Sequence, residues 1–399
     1  MTKQRLWTPT FVGLSVANFG SSMIFYLLVP TMATYATDAF GATAIEGGTL
    51  ASSFFIGALV ARLISGAAVD RFGSRNLALA AAAIYLLSTA AYLMAPTLAA
   101  TLAVRLLNGF GFGLFSSSLT SGVMLTLPPN RRGEGAGWFG IGISVSVGLG
   151  PFLALTLTKG PLGMRGVFLA ALGCAALAFG LVATLGRGLP GPPAATGAQG
   201  HDGAPVWRTL LDRRALGLGV VVMFAAFGYS GILTFLDLAT VGTDLAPAAS
   251  LFFLVYSAVV LIGRPTTGRL QDTFGEYRVL GPALVLMVVG VALVAAASHG
   301  FVLLTAAALL GLGWGSITSG GQAAAASRVP RERTGAGVAT FFFLLDLGTG
   351  VGPIVLGALV APFGYRGVFV AGTLSATVAL AIYVSMFIRS RRPGGPRAA

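Results

Sequence analysis

The chain has 399 residues, of which 25 are Lys or Arg and 12 are Asp or Glu, so 9% of the side chains carry charge while 55% are apolar and the mean hydropathy is +0.86. An ordinary soluble protein carries about 25% charged residues, and here the apolar excess recurs along the whole length, which excludes a soluble globular enzyme, a disordered chain and a disulfide scaffold. What remains is an all-α, multi-pass membrane protein: a spanning helix needs about 20 mainly apolar residues, whereas a transmembrane barrel would alternate over ~10.

Apolar runs between charged or Pro/Gly breaks predict twelve spans, starting near residues 9, 46, 76, 99, 135 and 164, and then 214, 246, 278, 301, 336 and 366. Lys3 and Arg5 precede the first run as in a signal peptide, but the run is too long and lacks a small-residue cleavage site, so it reads as a retained helix. Cys174, the single cysteine, falls within an apolar span and reads as an inert thiol. Between Arg187 and Arg214 the sequence is rich in Pro and Gly and has no apolar periodicity, as a linker does. The chain therefore divides into an N-terminal six-helix half, 1–187, a cytoplasmic linker, 188–213, and a C-terminal six-helix half, 214–399.

Basic residues near span ends are retained on the cytoplasmic side. With both termini cytoplasmic, Lys159, Arg165 and Arg366 fall outside, Arg62, Arg105 and Arg264 fall within spans, and the remaining nineteen of the 25 lie on the cytoplasmic side. The expectation is a multi-pass protein of the inner (plasma) membrane, monomeric, with the lipid bilayer as its surroundings. Orientation accounts for the pI of 10.8, and no nucleic-acid partner is needed to explain it.

The second half repeats the first at an offset of 202 residues. Arg62, Gly66, Asp70, Phe72 and Gly73 match Arg264, Gly268, Asp272, Phe274 and Gly275; Gly109, Gly111 and Gly113 match Gly311, Gly313 and Gly315; Gly148, Gly150 and Pro151 match Gly350, Gly352 and Pro353. After a one-residue slip, Arg165-Gly166-Val167-Phe168 matches Arg366-Gly367-Val368-Phe369. An even number of spans per half makes this a parallel repeat, an arrangement that transporters use to place a site between two rocking halves.

Gly66-Ala67-Ala68-Val69-Asp70-Arg71-Phe72-Gly73-Ser74-Arg75 resembles the loop signature G-x-L-x-D-R-x-G-R-[KR] of the major facilitator superfamily, departing at Ala68 and Ser74. Its repeat, Gly268 to Arg278, keeps Leu270 and Asp272 but has Thr273 in place of the arginine. Arg105-Leu106-Leu107-Asn108-Gly109 is similar to that family's R-x-x-x-G, which is associated with proton coupling. The antiporter signature of span 5 is met at Gly137, Gly150 and Pro151 and broken at Ser146, Ala154 and Leu155, while span 11 carries a partial copy through Gly352 and Pro353. The resemblance implies a major facilitator fold of two parallel six-helix repeats, nearest to the drug/proton antiporters, with Gly150, Pro151, Gly352 and Pro353 as a helix-packing motif.

A carboxylate at a cytoplasmic span end can accept hydrogen bonds from the positive end of a neighbouring helix. Asp70, with Gly66, Arg71, Gly73, Arg75 and Glu134, is therefore expected to form a cytoplasmic gate, with Gly268, Asp272 and Gly275 as the weaker copy. The alternative is a static loop ion pair or a lipid-headgroup contact. Asp346 lies about ten residues into span 11, where an intramembrane acid is functional by default, and its repeat partner is Ser144. Burial disfavours the charged form of a carboxylate and a nearby cation favours it. In the arrangement the resemblance implies, that cation is Arg62, and Asp346, Arg62 and Arg105 form the proton-coupling set. A permanent Arg62–Asp346 pair that only fixes packing is the alternative, and for Arg105 it is snorkelling to the outer interface. Asn18, Ser22 and Tyr26 on span 1, Ser117 on span 4, Tyr229 and Thr234 on span 7, Arg264 on span 8 and Gln322 on span 10 are candidates for the substrate cavity.

His201, His299 and Cys174 make no metal or nucleophile constellation, and there is no phosphate-cradling loop, so neither metal, cofactor nor enzymatic activity is expected. The sequence thus reads as a proton-coupled exporter of a small amphiphilic organic molecule working by alternating access. Import of a sugar or organic acid, and a receptor or scaffold on the same fold, remain the alternatives.

Overall fold

The structure, a computed structural model, describes residues 6–127, 132–191, 212–330 and 334–390. Among these, twelve helices are long and apolar enough to cross a membrane. Spans 1–6 are Pro9–Leu28, Ala44–Ser65, Arg71–Met94, Leu98–Thr126, Trp138–Thr158 and Met164–Gly188. Spans 7–12 are Arg213–Thr240, Ala246–Gly263, Glu276–Ala296, Gly300–Ser327, Gly337–Ala358 and Val360–Arg389. All begin within a few residues of expectation except the third and the last, whose helices run back past Gly73 (φ 76°, ψ 154°) and Gly364 (φ 66°, ψ −177°), both non-helical residues, into the preceding connections. The fold class is all-α and membrane-spanning, with no strand among the described residues.

Several helix starts are fixed by local chemistry. The Thr8 hydroxyl accepts from the Phe11 amide (3.1 Å), with Pro9 in the first turn, and the Thr97 hydroxyl accepts from the Ala100 amide (3.2 Å). Asp212 opens span 7: its carboxylate accepts from the Arg214 amide (2.9 Å), while its own amide donates to the Thr340 hydroxyl of span 11 (2.8 Å).

The chain forms two compact units, Met1–Thr31 with Ser53–Asp202, and Met32–Ser52 with Gly203–Ala399. In the first, span 1 packs against spans 4, 5 and 6; in the second, span 7 packs against spans 11 and 12. Spans 1 and 7 are each 67% buried against 33% for span 12, so each unit is organised around its own first long helix.

The repeat recurs in backbone geometry. The six glycines with positive φ among the described residues form three repeat pairs: Gly41 with Gly242, Gly73 with Gly275, and Gly163 with Gly364. Packing repeats too. A side chain at Gly109 would strike the Phe54 carbonyl and one at Gly311 the Tyr256 carbonyl; one at Gly111 would strike the Tyr85 amide and one at Gly313 the Met287 amide. Each contact recurs at the same offset, so many of the glycines are close-packing devices between membrane helices.

A short helix, Met32–Phe40, lies between spans 1 and 2 and is missing from the sequence expectation. Met32, Ala33 and Ala36 are buried, and the Thr34 hydroxyl donates to an Asp237 carboxylate oxygen of span 7 (2.9 Å). The first residues of span 2 continue this packing within the second unit: Gly48 admits the Pro353 carbonyl and Gly357 admits that of Ala44.

Candidate functional site

Asp346 sits well inside span 11 and is 8% exposed. Its repeat counterpart Ser144 is buried in span 5, so the acid is a departure from the repeat. Arg62 is half-buried in span 2, in the first unit, whereas Asp346 belongs to the second.

Arg105 does not snorkel, because the face of span 4 that carries it packs inward. Thr101, Arg105 and Asn108, spaced as neighbours on one helix face, are all 0% exposed. The guanidinium lies over the Phe54 ring at 4.8 Å, and the Asn108 amide donates to the Ser88 and Thr89 hydroxyls (3.1 and 3.0 Å).

The expected cavity residues fall into two groups. Asn18 is buried and donates to the Phe139 carbonyl (3.2 Å), tying span 1 to span 5, and Ser22 and Thr234 are buried as well. Tyr26 and Ser117 are half-buried and Gln322 is exposed. Tyr229 belongs to a stack with Tyr256 (5.9 Å) and Trp314 (5.1 Å) from spans 7, 8 and 10. The first unit carries its own aromatic cluster: Phe25 meets Phe54 (5.0 Å), Phe55 (5.6 Å) and Phe112 (5.7 Å). Of these rings only Tyr229 is among the residues expected from the sequence, because the polar pattern that marks a cavity does not single out Phe or Trp. Phe54 and Phe112 stand 202 residues before Tyr256 and Trp314, a pairing visible in the repeat alignment.

In the connection between spans 2 and 3, Gly73 is buried with φ 76°, Arg71 is exposed with its cation over the Phe72 ring (5.3 Å), and the Arg75 amide donates to the Pro190 carbonyl (3.2 Å). The side chains of Gly66, Asp70, Glu134, Arg264, Gly268 and Asp272 lie outside the described residues. At the equivalent end of the second unit, Glu276 forms an ion pair with Arg328, and the Tyr383 hydroxyl donates to the Glu276 carbonyl (3.3 Å). Gly150 lies against Tyr26, next to the buried Pro151, and Gly352 lies against Ser230 of span 7, next to the buried Pro353.

A groove of about 470 Å³ runs between spans 8, 9 and 10, lined by Ile262, Leu270, Phe274, Pro282, Leu286 and Leu312, with Arg278 among its lining residues. Thr267 and Ser316 within it hydrogen-bond each other (2.9 Å). No cluster of three metal-ligating side chains occurs among the described residues.

The profile of the Major Facilitator Superfamily matches residues 14–244 and 218–399. An uncharacterised MFS-type transporter of Burkholderia pseudomallei (strain 1106a) is 25% identical over 402 aligned residues, covering 97% of this chain and 94% of that protein. Among solved structures, a POT family transporter in complex with 5-aminolevulinic acid superposes with a TM-score of 0.80 at 13% identity, covering 95% of this chain and 96% of that one. The nucleoside transporter NupG superposes at 0.73 and 14% identity, covering 95% and 99%. These likenesses show the fold, and the profile match shows the family. With twelve spans, an internal repeat seen in both sequence and packing, and a family profile matched over nearly its whole length, the chain belongs to the major facilitator superfamily and is a multi-pass membrane transporter, not an enzyme.

Proposed function

We propose that the protein exports a small amphiphilic organic molecule in exchange for protons by alternating access, with Asp346 as the proton carrier. The observation that carries this reading is Asp346 itself: a carboxylate 8% exposed inside an apolar span, at a position where the repeat has serine. Intramembrane acids are costly and mark ion pathways. The available drive is adequate, since a charge crossing the membrane potential carries ~2.3 kcal/mol per 100 mV. Arg62 belongs to the same proton-coupling set, and Asp70 with Arg71, Arg75 and Glu134 holds the cytoplasmic side shut.

Proteoliposomes holding the purified protein, given an imposed pH gradient and a panel of amphiphilic dyes, test the assignment. Dye movement tied to the gradient and abolished by Asp346→Asn is expected; gradient-driven movement undiminished in that variant removes Asp346 from the role. Everted vesicles accumulating dye where right-side-out vesicles do not would fix the direction as export.

A further inference from the structure

Arg105 is a buried cation that forms no ion pair among the described residues. Its Nε, Nη1 and Nη2 make no hydrogen bond of good geometry among the described residues, and neither does the buried hydroxyl of Tyr92, which lies beside the guanidinium and interacts with it directly. Oδ1 of Asn108, one turn further along span 4, is also unsatisfied. The first unit contains three acids, Asp70, Glu134 and Asp202. Asp202 lies in the linker. Asp70 and Glu134 stand beyond the ends of spans 2 and 5 on the membrane face where span 4 finishes at Thr126, about 30 Å of helix rise from Arg105.

The repeat shows that the fold does not need this cation. The positions 202 residues after Tyr92, Arg105 and Asn108 are Val294, Ala307 and Leu310, and all three are buried. The same helix packing closes there on apolar side chains alone.

An arginine cannot shed its proton, and leaving it desolvated and unpaired costs several kcal/mol. Water could fill the empty hydrogen-bond positions but would leave the charge uncompensated. Phe54 covers one face of the guanidinium, which leaves the in-plane N–H edge, the part that binds anions best. We propose that Arg105 and Tyr92 form an occluded site for a compact monovalent anion, a halide or the carboxylate of a small organic acid. The guanidinium N–H groups and the Tyr92 hydroxyl donate to it, and Asn108 Oδ1 accepts from a water carried in with it. The proposal does not depend on the direction of transport, because its test reads binding.

The full chain is purified in detergent and its thermal unfolding followed in sodium sulfate of constant ionic strength, with sulfate replaced stepwise by chloride or, separately, by acetate. The expected result is a saturable rise in Tm of several degrees with at least one of the two anions. A chloride response alone identifies a free-halide site, and an acetate response alone identifies a carboxylate site. Tyr92→Phe, which keeps the cation and removes one donor, should weaken the half-saturating concentration about tenfold, the loss of one charge-assisted hydrogen bond. The double variant Arg105→Ala/Asn108→Leu, which copies the second half, should fold and lose the response altogether. Equal Tm in all salts, or an undiminished anion response in the double variant, overturns the proposal.

Discussion

Gly73 and Gly275 stand 202 residues apart and share one backbone conformation, φ 76° and ψ 154° against φ 80° and ψ 163°. This region is essentially closed to residues with a Cβ and costs of order 1–3 kcal/mol when forced. Gly73→Ala and Gly275→Ala should therefore each destabilise by about 1–3 kcal/mol. Gly173 and Gly180, helical and facing open space, should accept Ala neutrally or with a gain of up to ~1 kcal/mol. Thermal unfolding in detergent separates the two pairs.

Gly109 and Gly311 test the packing half of the repeat. Here the obstacle is a facing carbonyl, not a dihedral angle. Substitution by Leu at either position should abolish the folded, monodisperse species in size-exclusion chromatography. Leu at Gly140, which has no neighbour in reach, should leave it intact.

Arg328 and Glu276 clasp spans 10 and 9 with side chains 16% and 17% exposed. Breaking a largely desolvated pair strands the remaining charge, so Arg328→Gln and Glu276→Gln should each lower stability by about 1–3 kcal/mol. In the double variant the losses should be much less than additive, which a double-mutant cycle of unfolding temperatures would measure.

Thr34→Val removes the donor to Asp237 and should cost about 1.5–3 kcal/mol, the range for a hydrogen bond to a charged group. Thr34→Ser should restore it. The measurement is protection of the Met32–Phe40 helix from limited proteolysis at its exposed polar face.

The twelve spans were legible because length and hydropathy decide membrane insertion, and the repeat was legible because close helix packing demands glycine at fixed positions. The helix Met32–Phe40 leaves no mark in the hydropathy pattern because it buries only Met32, Ala33 and Ala36. The depth of Arg105 along its span could be read, but not which way it faced. The signal was present in Thr101, Arg105 and Asn108, a polar stripe at helical spacing that snorkelling does not require. The aromatic stack of Tyr229, Tyr256 and Trp314 joins three spans, so only tertiary packing reveals it.

The assignment of Met32–Ser52 to the second unit has a consequence for synthesis. Thr34 must wait 203 residues for Asp237 to be made, and Gly48 waits longer still for Pro353. At roughly 5–20 residues per second, the Thr34 delay alone is on the order of 10–40 s, in which the start of span 2 sits in lipid without its native neighbours. The first half therefore emerges from the ribosome holding a piece that belongs to the second. Co-expressed halves cut at the linker would each carry an unmatched surface until they meet.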